Sequence, residues 1–420
     1  MANRDIVVGI DVGSTSIRTV IAQIFPEEEK PRIIGVGSAA SAGVRKGVVV
    51  DLEETIKSIN DSVEQAERTA GIAVTQAVVS IGGSHITSQN SKGVIAVGKA
   101  DGEVTESDIS RVINAAQAIS IPPNKEIIHI IPESYSLDGN KNIKDPLGMN
   151  GVRLEVDVII IEGSTPFIKN LNKCFEQARI SIADFVLAPL AATKATLTKR
   201  QKELGVVLVD IGGGTTSVAV FEENNLIHTT ILPIGGNHVT NDIAIGLRTS
   251  IDVAEKVKLE YGNALPREIS KKEEINLAEL DANEEGIVSR YHVAEIIEAR
   301  LEEILLLVNK ELKAIGRERL LPAGVVLTGG TAKMPGAVDL AKNVLGLPAQ
   351  TGFPMPMGGL IDQVDDPTFV TVVGLVLWGL ENASSSKSRG SMSGRLGEKF
   401  SKGMGGSMEG MKEWFGKFLP

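Results

Sequence analysis

Cysteine is nearly absent: the 420-residue chain has one, Cys174. No disulfide can form within a single copy, and a reducing compartment fits. Cys174 lies in an amphipathic helical pattern, where a lone thiol is an ordinary small hydrophobe. Aromatic residues are scarce at 4%. The formal net charge is −10, and the body carries no stripe of mixed basic and aromatic residues, which excludes a nucleic-acid surface there. No window reaches about 18 apolar residues without charge, so no segment reads as membrane-spanning. Met1-Ala2-Asn3-Arg4-Asp5 leads straight into a strand pattern with no apolar leader, so a cytosolic body is expected.

Glycine, by contrast, is plentiful, with 44 residues, and two of its clusters repeat one motif. The first is Ile6-Val7-Val8-Gly9-Ile10-Asp11-Val12-Gly13-Ser14-Thr15-Ser16. The second, about 200 residues later, is Val206-Val207-Leu208-Val209-Asp210-Ile211-Gly212-Gly213-Gly214-Thr215-Thr216. Each reads as an apolar strand ending in Asp, a tight turn of glycine and hydroxyl residues, then a second strand. Glycine lets backbone N–H groups approach phosphate oxygens unobstructed, and an aspartate at the strand end can hold a metal-bound water. Either hairpin alone is weak evidence, because turns are rich in Asp and Gly for local reasons. Two of them, in equivalent α/β settings, imply two halves gripping one nucleotide across a cleft. A third turn, Thr328-Gly329-Gly330-Thr331-Ala332-Lys333, follows a buried strand and offers bare backbone to a flat base or ribose.

At this length at least two domains are expected. Residues 52–70 read as an amphipathic helix and 77–81 as a buried strand, giving strand–helix–strand order and a parallel α/β unit. Residues 84–162 read as a separate module. It has a helix capped by Thr105-Glu106-Ser107-Asp108, strands near 127–131 and 156–161, and a loop over 138–150, but no phosphate or metal motif. Such an insertion suits a contact surface. Helices are expected over 166–178, 189–199, 239–261, 293–312 and 371–380. Small residues in Pro189-Leu190-Ala191-Ala192 and Val373-Gly374-Leu375 would let two helices cross closely at a hinge between halves.

The chain resembles the actin-like ATPase superfamily over residues 5 to about 380, through the two phosphate hairpins and the Thr328-Gly329-Gly330 turn. Within it, the chain is most similar to the bacterial cell-division FtsA family. The runs that carry this are Gly235-Gly236-Asn237-His238-Val239-Thr240-Asn241-Asp242-Ile243-Ala244, Ala254-Glu255-Lys256-Val257-Lys258 and Ala294-Glu295-Ile296-Ile297-Glu298-Ala299-Arg300, together with the C-terminal tail. The resemblance implies an α/β, actin-like (ribonuclease H-like) two-domain fold with a central nucleotide cleft. Subdomain IA would be 1–83 and 163–200, the inserted IC 84–162, IIA 201–234 and 301–381, and IIB 235–300.

It also implies ATP and Mg²⁺ as ligands. Asp11 and Asp210 would hold Mg²⁺ through waters. Gly13, Ser14, Thr15 and Ser16 would bind phosphates from one side, and Gly212, Gly213, Gly214 and Thr215 from the other. Glu255 and Lys258 would meet the ribose and adenine, with Gly329, Gly330 and Lys333 lining the base. In-line attack on a γ-phosphate needs a side chain that orients water. Vigorous actin-like ATPases place Glu or Gln just before the Pro-Leu-Ala-Ala-type segment, where this chain has Ala188. Slow or negligible turnover is therefore expected. The family's FtsZ C-terminal peptide would bind subdomain IIB, with Arg290 and Arg300 as candidate carboxylate partners.

Residues 382–393 are rich in Ser, Gly and Lys and read as a flexible linker. In 394–420, Met408, Met411, Trp414, Phe415, Phe418 and Leu419 fall on one helical face, opposite a charged face. From Lys387 onward there are seven basic and three acidic side chains, a local +4 on an acidic chain. That pattern fits a helix lying in an anionic lipid interface. Glycines 397, 403, 405, 406, 410 and 416 cost about 1 kcal/mol each against alanine, so folding on lipid rather than in water is expected. One tail would bind weakly, and polymerisation would strengthen it by multivalency.

Three readings compete. The first is an ATP-binding division protein that polymerises on the cytoplasmic face of the cell membrane at the division site. There it would anchor FtsZ filaments and meet later division proteins through 84–162. The second is a pilus-assembly adaptor of the PilM type, which would not supply the basic amphipathic tail. The third is a small-molecule kinase of the same superfamily, which would need a catalytic base that does not stand out in 84–162.

Overall fold

The computed structural model of the chain describes residues 6–25, 30–118 and 122–389. The chain opens with β1 (Ile6–Val12), β2 (Ser16–Gln23), β3 (Arg32–Ala40) and a short hairpin of β4 (Val44–Arg45) and β5 (Val48–Val49). Helix α1 (Leu52–Ala70) starts where the Asp51 carboxylate accepts the Glu54 N–H, and ends at Gly71 in the left-handed region. It leads to β6 (Gln76–Ile81). Ile59 and Val63 of α1 are buried against the first sheet. The helix lies so close that a methyl on Gly37 of β3 would sit 1.9 Å from the Ser62 carbonyl oxygen.

The inserted module follows: β7 (Thr87–Ala96), α2 (Glu106–Gln117), β8 (Lys125–Leu137), β9 (Asn140–Ile143) and β10 (Arg153–Ser164). Its sheet order is β7-β10-β8-β9, with α2 packed on β7 and β10. The first half resumes with α3 (Thr165–Gln177), β11 (Ser181–Leu187), α4 (Ala188–Thr196) and α5 (Lys199–Leu204).

The second half contains β12 (Val206–Ile211), β13 (Thr216–Glu222), β14 (Asn225–Leu232), α6 (Gly236–Leu247), α7 (Ile251–Tyr261), β15 (Glu274–Asn276), β16 (Ile287–Ser289) and α8 (Arg290–Ala314). It continues through β17 (Val325–Thr328), α9 (Ala337–Leu345) and β18 (Ala349–Thr351), after which the chain returns to the first half with β19 (Gly358–Gly359) and the closing α10 (Val370–Arg389).

The halves repeat one topology. In the first, β1, β2 and β3 form an antiparallel meander, and β6 and β11 extend it in parallel from β1. In the second, β12, β13 and β14 form the meander, and β17 and β18 extend it in parallel. The repeated hairpin motif thus sits at the same place in two copies of one sheet. Helices α4 and α10 cross between these sheets. A methyl on Gly374 would lie 1.8 Å from the Ala191 carbonyl oxygen, so the backbones touch there, as the small residues imply.

Several boundaries differ from expectation. Helix α8 runs unbroken through position 300, where IIB was expected to give way to IIA. Helix α10 packs on β1, β2, β6 and α4, and β19 pairs with β3, so the stretch from Gly358 joins the first-half sheet rather than IIA. Its buried Val372, Val373, Leu375, Val376 and Trp378 give it an apolar surface that the first-half sheet and α4 cover together. The same helix continues to Arg389, into the expected linker at 382–393, because adding turns to a formed helix is cheap. Residues 239–261 form two helices, broken at Arg248 in the left-handed region and restarted by the Ser250 cap. Strand β7 escaped notice because its first half, Thr87 to Lys92, is polar and lacks an apolar alternation. The amphipathic tail at 394–420 lies outside the described residues.

Candidate functional site

The two phosphate hairpins close with the same turn. The Gly13 N–H donates to the Ser16 carbonyl at 3.2 Å, and the Gly212 N–H to the Thr215 carbonyl at 2.9 Å. They face each other across a cleft of about 590 Å³, within the range of small-molecule and cofactor pockets. A methyl on Gly213 would stand 1.9 Å from Thr15 Oγ1, and one on Gly214 2.8 Å from Ser14 Oγ. The opposing loops therefore touch, and only glycine fits. Thr15 Oγ1 also donates to Asn237 Oδ1 at 3.4 Å across the cleft.

Asp11 and Asp210 end equivalent strands and both line this cleft. Burial raises the Asp11 carboxyl above its ordinary range, against the Ser80 hydrogen bond and the Arg18 charge. Burial, then the Asp11 charge, pushes Asp210 up to about 7. Two packed carboxylates that repel each other are a poor protein core but a good place for a divalent cation. The described residues contain no cluster of three or more ligating side chains that could cage a metal. Mg²⁺ commonly keeps several waters and takes only one or two carboxylates beside phosphate oxygens, so the donor set fits that ion held through water. When bound, the cation would neutralise phosphate charge. Asp11 and Asp210 would orient its waters, and the glycine turns would present backbone N–H groups.

The third turn completes the wall. Gly329 has φ +84°, and a methyl there would lie 2.4 Å from Asp210 Oδ1, so bare backbone backs the aspartate. The turn is braced by the Gly329 N–H donating to the Pro367 carbonyl and by an ion pair between Lys333 and Asp366. Glu255 and Lys258 sit one helical turn apart on α7. Lys258 Nζ lies 2.6 Å from Glu255 Oε2 and donates to Thr240 Oγ1 at 2.8 Å. Ala188 opens α4 at the cleft wall with only a methyl to offer.

All thirteen expected nucleotide residues and both aspartates line this one cleft: Gly13, Ser14, Thr15, Ser16, Gly212, Gly213, Gly214, Thr215, Glu255, Lys258, Gly329, Gly330 and Lys333, with Asp11 and Asp210. Arg290 and Arg300 lie elsewhere, ten residues apart on α8, about 15 Å along its axis. Arg290 Nη1 donates to Glu273 at 2.7 Å and its Nε to the Tyr261 carbonyl. Arg300 makes a two-pronged bond to Asp242 and another to Glu303. Both arginines already hold carboxylates of this chain. The membrane-facing set Met408, Met411, Trp414, Phe415, Phe418 and Leu419 lies outside the described residues.

Sequence reasoning missed Arg18, Ser80, Asn237 and Thr371, which also line the cleft. Arg18 was within reach: the β1–β2 register places it directly opposite Asp11. Its guanidinium stacks 5.3 Å from the Phe369 ring centre, and burial lowers its pKa against the pull of Asp11, Asp366 and Asp210.

Comparison with known proteins places this architecture. A family model described as "Cell division protein FtsA" matches residues 207–374, and one described as "SHS2 domain inserted in FTSA" matches 83–162. The chain is 40% identical to the cell division protein FtsA of Pseudomonas aeruginosa, covering 91% of each chain. It is 41% identical to that of Bacillus subtilis, over 91% of this chain and 85% of the relative. For Escherichia coli K12 the identity is 34%, over 90% of this chain and 91% of the relative. Among solved structures, a chain of the PilM-PilN type IV pilus biogenesis complex superposes with TM-score 0.66 at 16% identity, over 89% of this chain and 98% of that one. Spiroplasma citri MreB5 bound to ADP superposes with TM-score 0.53 at 11% identity, over 92% and 99%. At such low identity these two speak for the actin-like fold alone. The identities over nine-tenths of the chain, with the inserted SHS2 domain, make it a member of the FtsA family of cell-division proteins on an actin-like ATPase fold.

Proposed function

We propose that the chain binds ATP with Mg²⁺ in the cleft and turns it over slowly or not at all. In the nucleotide-bound form it polymerises on the cytoplasmic face of the cell membrane at the division site. Residues 394–420 are its lipid contact, and the filament anchors FtsZ through subdomain IIB near Arg290 and Arg300. Later division proteins meet the module at 84–162. One observation carries the nucleotide part: the paired glycine turns, each beside a half-buried aspartate, face each other across one cleft.

Slow turnover follows from what lines the phosphate end. Ala188, at the start of α4 on the cleft wall, cannot orient a water. For the FtsZ peptide, an acidic segment would exchange with Asp242 and Glu273 on the two arginines. Among the described residues no helix is long and apolar enough to cross a membrane, so the lipid contact is assigned to the basic amphipathic tail.

Liposome co-sedimentation with electron microscopy tests the assembly. With ATP and Mg²⁺, the full chain is expected to pellet with anionic vesicles and form filaments on them, whereas residues 1–390 stay in the supernatant. A full chain that ignores lipid and stays monomeric would overturn the membrane reading.

A further inference from the structure

We propose that the tip of the β4–β5 hairpin, Lys46-Gly47, couples the phosphate side of the cleft to the hinge of the inserted module. This rests on the nucleotide reading above and adds a regulatory connection to it.

The tip is held on three sides at once. On the first, the Gly47 N–H donates to Ser14 Oγ, in the first phosphate turn, at 2.9 Å. On the second, the tip lies against the opposite phosphate turn: a methyl on Gly214 would stand 3.0 Å from the Lys46 backbone nitrogen. On the third, it abuts the chain where it enters the module. A methyl on Gly47 would sit 2.5 Å from Gly83 Cα, and one on Gly83 2.8 Å from the Gly47 carbonyl oxygen. The Ser84 N–H then donates to the Lys46 carbonyl at 3.3 Å.

The local backbone is specialised for this. Lys46, Gly47 and Gly83 have φ of +50°, +73° and +109°. A lysine in the left-handed region persists only where its surroundings hold it there. The contact is backbone on backbone, with no side chain to absorb a displacement by changing rotamer. A shift of the tip therefore passes to Gly83.

Gly83 stands at the hinge. The module leaves the first half after it and returns at Gly163 and Ser164, and His85 pins both crossings. Its Nδ1 accepts the Ser164 N–H at 3.2 Å. The imidazole packs on Phe167 of α3, with ring centres 5.2 Å apart. Beside the tip, the cavity bordered by Gly47, Val48, Gly82, His85 and Phe167 is only about 10 Å³, so the junction has little room to absorb a shift.

Ser14 is the switch point. Its oxygen accepts from Gly47 while its single hydrogen is available to a phosphate oxygen. A phosphate that draws on that hydroxyl moves the atom on which the hairpin tip hangs. By reciprocity, a partner that reorients the module through 84–162 changes nucleotide affinity by the same factor.

Hydrogen exchange on the full chain, with and without saturating Mg²⁺ and ATP, tests this. In the wild type, amides of 83–96 and 163–168 are expected to change exchange rate at least threefold on adding ATP. In Lys46→Pro, whose ring cannot adopt the φ of +50° at the hairpin tip, ATP still protects the 206–216 strands, but the hinge response is lost. In His85→Gln, outside the nucleotide cleft, hinge amides exchange faster with or without ATP while 206–216 remains protected by it. The coupling is overturned by a wild-type hinge that ignores ATP while the phosphate strands become protected. A Lys46→Pro hinge that responds like wild type also overturns it. If ATP protects neither phosphate strand, the nucleotide reading itself fails and the coupling falls with it.

Discussion

Asp11 and Asp210 are costly to keep charged: desolvation raises both carboxyls, and the charge of Asp11 raises Asp210 further. Gly329 and the two phosphate turns give up side chains so that backbone can reach them. These residues were legible in the sequence because their chemistry is written in consecutive positions. Asn237 was not, since its role depends on what the fold sets opposite it, whereas Arg18 becomes readable once β1 and β2 are paired in register. The most telling residue is an absence. Ala188 offers a methyl where a carboxylate or amide would position water. Ala188→Glu is expected to raise ATP turnover about tenfold, a modest share of what a positioned acid–base group contributes. A steady-state phosphate-release assay on the two proteins would measure it, and an unchanged rate would show that something other than the missing side chain limits hydrolysis.

Two elements carry distinct liabilities. The first is the start of α2 in the inserted module. Burial alone would raise the Asp108 carboxyl, but bonds from Thr105, from the Gly98 N–H and from Arg111 together pull it down to about 2. Its folded-state pKa is below the ordinary carboxylate value, so its stabilisation is complete above about pH 4 and lost as the pH falls towards 2. Melting curves of the full chain across that interval should show an acid-induced loss of stability that is smaller in Asp108→Ala, a variant whose melting point at neutral pH is also lower. The second is the α4–α10 crossing. A methyl at 374 would meet the Ala191 carbonyl oxygen, which is backbone and cannot turn aside. Gly374→Ala is expected to destabilise the protein by about 1–3 kcal/mol, the usual range for overpacking. Chemical denaturation would read this directly, and a variant as stable as wild type would mean that the helices can slide apart freely. The cap at Thr105 and the small residues at the crossing were visible in the sequence because both are local patterns. Strand β7 was not, because its pairing with β10 comes from the rest of the module.

For the whole molecule, the duplicated hairpin foretold the duplicated sheet, and with it a cleft between halves. What it did not foretell is the return of the chain. After completing the second sheet, the chain crosses back, adds β19 beside β3 and lays α10 across β1 and β6. No local signal marks such a crossing, because the apolar face of α10 would suit either sheet. Through its crossing with α4, which also packs on β12 and β13, α10 ties the halves together. A ligand bound between the phosphate turns therefore acts on both halves and on the tip at Lys46-Gly47 beside them. All of this depends on the cleft taking a nucleotide. Isothermal titration of the full chain with ATP, with and without Mg²⁺, alongside Asp210→Asn, measures that most directly. The account predicts one site per chain, binding that strengthens when Mg²⁺ is present, and loss of most of that Mg²⁺ dependence in Asp210→Asn. No detectable binding at millimolar ATP, or binding by Asp210→Asn with the full Mg²⁺ dependence, would contradict it.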